Sequence, residues 1–408
     1  MKMAIFILSF LFLSFPTLLS QTIDNFNSLK VDSGYINVDG GKLFYEAAGK
    51  GENIVLLHDG AVHCEIWNAQ FPVFAEKYRV IRYDRRSYGK SPNPTAPYSN
   101  IDDLNKLFVQ LKLEKALIFG ISSGGGLAID FTLKYPDNVR GLVLVGAVVS
   151  GYGYSSHMLT RGGHVKSLAE LLADPQKTIE YLGREDPYEI YKENIKAKEK
   201  FLKLLNANPI NLSQEKGTLL IRADRPAAKY LSEIKVPTLV LVGEYDIPDV
   251  HAHAGVIEFG IPNAKREIIS NSGHLIPLEQ PDAFNAESLK FLRSIDFFNI
   301  LNSQGVNAAA KYYLDKRRSE PGIILFDESV MNSLGYNYLQ NGKIKDAIEV
   351  FKLNTIAYPE SWNVYDSLGE AYLKDGQKDL ALKNYEKSLE LNPNNQNAKK
   401  ILKQIQNK

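Results

Sequence analysis

Three unbroken apolar runs constrain this chain more than any other feature: IVLL at 54–57, LIF at 117–119 and LVLV at 142–145. Strands covered on both faces read this way, whereas a strand with one wet face alternates. Amphipathic segments separate the runs, and strand–helix alternation implies a largely parallel sheet with helices packed against it. In such sheets sites form beyond the carboxyl ends of the strands. There the chain carries His58, Asp59 and Gly60, then Asp84, Ser122 and Asp246.

From about 150 to 233 the strand rhythm stops, and charged, helix-favouring text such as EIYKENIKAKEKFLKLL reads as a helical insertion. VPTLVLVGEYD at 236–246 resumes the strand pattern, followed by KREIIS, the loop SGHLIP and an amphipathic helix over about 282–292. The expected fold class is therefore α/β, an interrupted and then completed sheet domain over 21–295. At 408 residues the chain is too long for one core, which stops growing near about 250 to 300 residues.

Beyond about 296 the text is wholly helical and repeats with a fixed step. Leu334, Gly335, Tyr338, Leu339, Gly342, Ala347, Phe351 and Pro359 match Leu368, Gly369, Tyr372, Leu373, Gly376, Ala381, Tyr385 and Pro393, each 34 residues on. Small residues allow close helix approach, aromatics fill the space between hairpins, and proline ends the second helix. This is the signature of two tetratricopeptide repeats over 328–395. Linking helices, with one candidate degenerate unit, are expected over 296–327, and a capping helix over 396–408.

The first twenty residues, MKMAIFILSFLFLSFPTLLS, join a basic Lys2 to an apolar stretch broken by Pro16, the pattern of a secretory signal peptide. Export to a periplasm or beyond the cell is expected, with no membrane span once the leader is removed; an uncleaved membrane anchor is the alternative. Cys64 is the single cysteine, so no intrachain disulfide and no paired-cysteine metal or redox site can form. Forty-eight basic against 47 acidic residues give a formal charge of +1, without the field that gathers nucleic acid.

Gly120-Ile121-Ser122-Ser123-Gly124 follows an apolar strand and precedes a helical stretch, the strand–turn–helix context that a G-x-S-x-G elbow requires. The glycine spacing makes Ser122, rather than Ser123, the candidate nucleophile. A serine hydroxyl needs a base in hydrogen-bond reach and a group that orients that base. His274 and Asp246 are the candidates, with Glu244 and Asp249 as rivals for the acid. The backbone N–H groups of Ser123 and Gly60 are the expected oxyanion donors. His58 reads as a loop-holding residue. His63, Trp67, Tyr152, Tyr154 and Met158 are pocket candidates. His251 and His253, two apart on a helix, point away from each other, and no metal or cofactor is expected.

Five motifs in order then carry a resemblance: LLHDG, YDRRSYGKS, GISSGG, LVGEYDIPD and SGHLIPLEQP. Residues from about 34 to 295 resemble the α/β-hydrolase superfamily, in the branch with lactonases, esterases and ring-fission hydrolases. The resemblance implies a Ser122–Asp246–His274 triad in the family's order, and an insertion that serves as its lid. Asp59 and Ser87 stand where the family commonly has glycine. The leading expectation is a cofactor-independent serine hydrolase acting on a small ester or lactone through an acyl-enzyme. A ring-fission C–C hydrolase or an aminopeptidase with the same triad is the enzymatic alternative; the aminopeptidase family's usual elbow tryptophan is missing from GISSGG. A non-catalytic scaffold recruiting a protein through the repeats is the alternative of another class. In an active enzyme the repeats would bind a protein partner, self-associate or brace the catalytic domain.

Overall fold

The computed structural model describes residues 29–208, 219–262 and 264–406, so the signal peptide expected at 1–20 lies outside the described residues. Eight strands form one sheet: β1 (Val31–Val38), β2 (Gly41–Ala48), β3 (Asn53–Leu57), β4 (Arg79–Tyr83), β5 (Ala116–Ile121), β6 (Val139–Val145), β7 (Thr238–Gly243) and β8 (Ala264–Ile269). Their order is β1-β2-β4-β3-β5-β6-β7-β8. β1 and β2 form an antiparallel hairpin that joins β4 antiparallel, and every other pairing is parallel. The expected α/β class is what the chain adopts, with the apolar runs forming β3, β5, β6 and β7. Register pairs Leu57 with Gly120, Ile121 with Val145 and Val145 with Leu241, so these strands end level with one another. The polar residues after them are thereby delivered to one edge.

Strand alternation sends successive side chains to opposite faces. On one face Val55, Leu57, Ile118, Leu142 and Val240 meet Leu104, Phe108, Ile129 and Phe131 from the helices α1 (Asn100–Gln110) and α2 (Ser123–Lys134). Ser99 starts α1, its hydroxyl accepting the Asp102 N–H at 3.3 Å. On the other face Phe119 packs edge-on against Phe74 and Phe284, ring centroids 5.3 and 6.3 Å away. At the outer edge β8 carries Lys265, Arg266 and Glu267, charges of the kind that discourage strand addition.

The insertion between β6 and β7 is less regular than its sequence suggests. Among its described residues only α3 (Ile195–Ala207) is a helix of several turns; its other elements are short helices of one or two turns, including a π-helical one at Tyr181–Glu185. Gly162, Gly163, Pro175, Gly183 and Pro187 interrupt it at close intervals. After β7 come α4 (Pro248–Gly260) and α5 (Pro281–Gln304). α5 runs well past the expected end near 292, because FFNILNSQ offers no breaker before Gly305, whose φ is 90°. The chain falls into two compact units, one ending at Asn285 and one beginning at Ala286, a division inside α5.

In the second unit, α6 (Val306–Ser319) precedes two helical hairpins, α7 (Glu328–Gln340) with α8 (Ile344–Ala357) and α9 (Trp362–Lys374) with α10 (Lys378–Leu391). α9 starts 34 residues after α7, and α10 34 after α8, the step of the sequence repeat. A side chain on Gly335 would overlap the Phe351 ring, and one on Gly369 would lie 3.2 Å from Tyr385, so each hairpin closes by glycine meeting an aromatic. α11 (Gln396–Gln406) follows, with Ala398 buried in the core of the second hairpin. Among the described residues no helix is long and apolar enough to cross a membrane.

The loop after β4 is built around buried charge. Arg86 donates to both carboxylate oxygens of Asp103 at 2.7 and 2.8 Å and to the Asp39 carbonyl at 2.7 Å. Asp84 accepts the N–H groups of Cys64 and Lys90 at 2.9 and 2.8 Å. Ser87 takes a left-handed backbone at φ 67°, where a Cβ is disfavoured, and its buried hydroxyl has no hydrogen-bond partner among the described residues. Ser87→Gly is therefore expected to stabilise the protein by about 1 kcal/mol, since it removes both penalties. A raised urea midpoint with unchanged slope would register it, and an unmoved or lowered midpoint would refute it.

Candidate active site

The elbow is a steric necessity before it is a chemical device. Ser122 sits between β5 and α2 at φ 52° and ψ −116°, a strained conformation for any residue with a Cβ. The turn closes because its neighbours lack side chains. A Cβ on Gly120 would lie 2.5 Å from the Gly124 carbonyl oxygen, and one on Gly124 would lie 2.7 Å from that of Leu57. Ser122 N–H donates to the Val145 carbonyl at 2.8 Å, which anchors the turn to β6.

One residue beyond that anchor, Gly146 brings the second half of the site alongside. A Cβ there would stand 2.9 Å from Nδ1 of His274 and 3.2 Å from Oδ2 of Asp246. These two atoms are themselves hydrogen-bonded at 2.8 Å, with both residues buried. Asp246 keeps its orientation because its other oxygen accepts the Ile247 N–H at 2.8 Å. The rival acids are engaged elsewhere: Glu244 accepts the Asn271 N–H at 3.0 Å, and Asp249 binds the N–H and hydroxyl of Ser155 at 2.8 and 2.9 Å.

Burial opposes a charge on His274, as does Arg161, but the carboxylates of Asp246 and Glu189 outweigh both and push its pKa up to about 9. The histidine loop is held from below by Glu279, which accepts the N–H of Gly273 at 2.8 Å and that of Tyr191 in the insertion at 2.7 Å. Burial raises the Glu279 pKa to about 7, although these two backbone bonds favour its ionised form.

The loop after β3 is equally organised. His58 is fully buried; its Nε2 accepts the Arg85 N–H at 3.0 Å, which leaves Nδ1 to donate to the Asp59 carbonyl at 2.8 Å. Both ring nitrogens are occupied in holding the loop. Asp59 folds its carboxylate back to accept the N–H groups of Ala61 and Val62, each at 2.7 Å. Gly60 faces the elbow, a Cβ on it reaching 3.4 Å from the Ser123 hydroxyl. Arg85 ties the halves together, donating from Nη2 to the carbonyls of His58 and Asp59 and to the Ser123 hydroxyl at 3.0 Å.

The pocket candidates scatter. Trp67 is wholly buried against Phe284, centroids 5.7 Å apart, a core position. His63 is buried with Nδ1 unpartnered among the described residues, and Met158 places its sulfur 3.9 Å from the Arg161 guanidinium. Tyr152 and Tyr154 are exposed and pack their rings on His253, whose Nδ1 accepts the Val149 N–H at 3.1 Å. Arg85, Arg161, Glu189 and Glu279 are additions from the structure. Glu279 lies within the motif SGHLIPLEQP, and Arg85 within YDRRSYGKS, whereas no local pattern marks the two insertion residues.

With this geometry in place, the kinship is specific. The alpha/beta hydrolase family model matches residues 54–287, and a tetratricopeptide repeat model matches 367–395. A 2-hydroxy-6-oxononadienedioate/2-hydroxy-6-oxononatrienedioate hydrolase of Paraburkholderia phymatum is 32% identical over 295 residues, covering 64% of this chain and 95% of that protein. A 2-hydroxy-6-oxo-6-phenylhexa-2,4-dienoate hydrolase of Comamonas testosteroni is 28% identical, over 62% of this chain and 91% of its own length. Among solved structures, an esterase from Exiguobacterium antarcticum superposes with a TM-score of 0.55 at 26% identity, covering 64% of this chain and all of that one. The match over 54–287 spans more than half of the chain. The chain belongs to the alpha/beta hydrolase family.

Proposed function

We propose that this protein is a serine hydrolase that cleaves a small ester or lactone through an acyl-enzyme. The observation that carries the reading is the strained Ser122 elbow set one glycine away from the hydrogen-bonded His274–Asp246 pair. Nδ1 of His274 is committed to Asp246, so Nε2 is the atom that takes the Ser122 proton as the oxygen attacks the substrate carbonyl. The oxyanion is received by the N–H groups of Ser123 and Gly60, each donor contributing about 3 to 4 kcal/mol to the barrier reduction. The imidazolium then returns its proton to the leaving oxygen. Water, deprotonated by the same nitrogen, releases the acid and restores Ser122.

A second reading has its own support. The curated relatives named above are hydrolases of 2-hydroxy-6-oxo-dienoates, substrates cleaved at a C–C bond, and the same triad serves that reaction. Parallel assays of activated esters, lactones and a 2-hydroxy-6-oxo-dienoate separate the two. Around the catalytic unit we propose export, directed by the leader at 1–20, and a protein-binding role for the repeats.

A fluorophosphonate probe is expected to label the mature protein at Ser122, with no adduct in Ser122→Ala; labelling elsewhere, or none on folded protein, would refute the nucleophile. Asp246→Asn is expected to lower kcat by on the order of 10³- to 10⁴-fold, because the imidazole loses its orientation and its counter-charge. The base must be neutral to accept a proton, and the folded-state pKa of His274 is raised. Activity is therefore lost as pH falls through about 9, with roughly tenfold lost per pH unit below that point. A kcat/KM profile already flat above pH 7 would contradict this.

A further inference from the structure

The insertion contains the one run of consecutive left-handed residues among those described: Arg161 at φ 48°, Gly162 at 71° and Gly163 at 88°. Glycine takes this conformation freely, but arginine does not, and strain of this kind persists only where surroundings over-determine it. The surroundings here are explicit. Arg161 is buried, and its guanidinium meets both oxygens of Asp186 at 2.7 Å and one oxygen of Glu189 at 3.0 Å. Asp186 also accepts the N–H groups of Tyr188 and Glu189 at 2.8 and 3.0 Å, which closes the turn at 186–189. A Cβ on Gly162 would overlap the Tyr188 hydroxyl, so the glycine lets the two segments meet.

That turn is joined to the active site. The carbonyls of Tyr188 and Glu189 accept the backbone N–H of His274 at 2.9 and 3.1 Å. The same short segment therefore supplies backbone acceptors to the histidine and a carboxylate to its surroundings. The charged groups that face His274 are Asp246 from the loop after β7, and Glu189 and Arg161 from the insertion. Asp186 and Asp59, the latter from the loop after β3, lie within electrostatic reach of Glu189, and Glu279 supports the loop beneath.

We propose that Arg161 and Glu189 are positioning residues for His274: through the 186–189 turn they hold its backbone, and their opposed charges set how readily its imidazole takes the serine proton. The inference deepens the hydrolase reading and rests on His274 being the base. Glu189 favours the imidazolium, and Arg161 disfavours it directly while holding the Glu189 carboxyl in its ionised form. Neither touches the reacting atoms.

The test is a titration of the full-length mature chain carrying ¹³Cε1-labelled histidine, followed by NMR. His274→Asn identifies the signal among the seven histidines. Glu189→Gln is expected to lower the His274 midpoint by on the order of one pH unit, and Arg161→Gln added to Glu189→Gln, where residue 189 has no charge left to lose, to bring it back up, while Arg161→Lys alone stays near the parent. Should that double variant not fold, Asp186→Asn is added to it. Asparagine keeps an acceptor for the two turn N–H groups and leaves no lone buried carboxylate at 186, and the same rise is expected.

General loosening would move all variants in one direction, so opposite shifts distinguish charge from packing. A midpoint that Glu189→Gln leaves unmoved, or shifts upward, overturns the proposal, as does a common direction for both changes. In parallel, kcat/KM for p-nitrophenyl acetate is measured across pH with Ser122→Ala as the control. Turnover that survives Ser122→Ala would defeat the hydrolase reading, whereas the NMR midpoints judge the charge effect independently of turnover.

Discussion

The left-handed turn at Ser122 is the constraint on which the rest of this structure depends. Its backbone leaves β5 and enters α2 with no spare residue, and the turn closes only where Gly120 and Gly124 bring carbonyl oxygens to within a bond length or two of a missing Cβ. The parallel sheet makes that strain tolerable. β5 is paired on both sides, by β3 and by β6, and the Val145 carbonyl takes the Ser122 N–H directly. A distorted residue costs of order 1 to 3 kcal/mol, a sum the cooperative core of Ile118, Ile129, Phe131 and their neighbours can sustain. The cost falls on the residue whose side chain must stand clear of its own backbone.

Around this point, the catalytic unit solves one problem repeatedly: how to keep charge and polarity buried without leaving them unpartnered. Asp59 turns inward on two N–H groups, Asp84 on two more, and Glu279 on the loops at 191 and 273. Arg86 and Arg85 do the converse, each bridging acceptors from separate loops. Asp59 shows why a departure from the usual glycine is compatible with an ordered loop after β3. Its carboxylate makes the turn that backbone freedom would otherwise supply.

Much of this was legible in the sequence because it rests on local pattern. Continuous apolar runs encode buried parallel strands, and the 34-residue step encodes stacked hairpins whose glycines face Phe351 and Tyr385. The elbow and the Asp246–His274 pair were legible because short-range rules fix their context. What escaped was long-range. Arg161 meets Asp186 and Glu189 only once the insertion folds on itself, and no window of sequence spans that meeting. The described elements of the insertion are helical, as expected, but their lengths were less legible: glycine and proline at short intervals keep most of them to one or two turns. The end of α5 was misjudged because the expected stop at 292 had no breaker behind it.

The insertion leaves the sheet after β6 and returns at β7, two strands that are immediate neighbours with Val145 opposite Leu241. Topologically, then, it is a cassette: another segment could be spliced between the same strands without breaking a bond between the eight strands of the sheet. Chemically it is not interchangeable, because it carries the carbonyls that hold the His274 backbone and the carboxylate beside its ring. Exchange of this cassette, by evolution or by engineering, would carry along the groups that hold the His274 backbone and charge its surroundings, so the insertion and that histidine would be inherited as one unit.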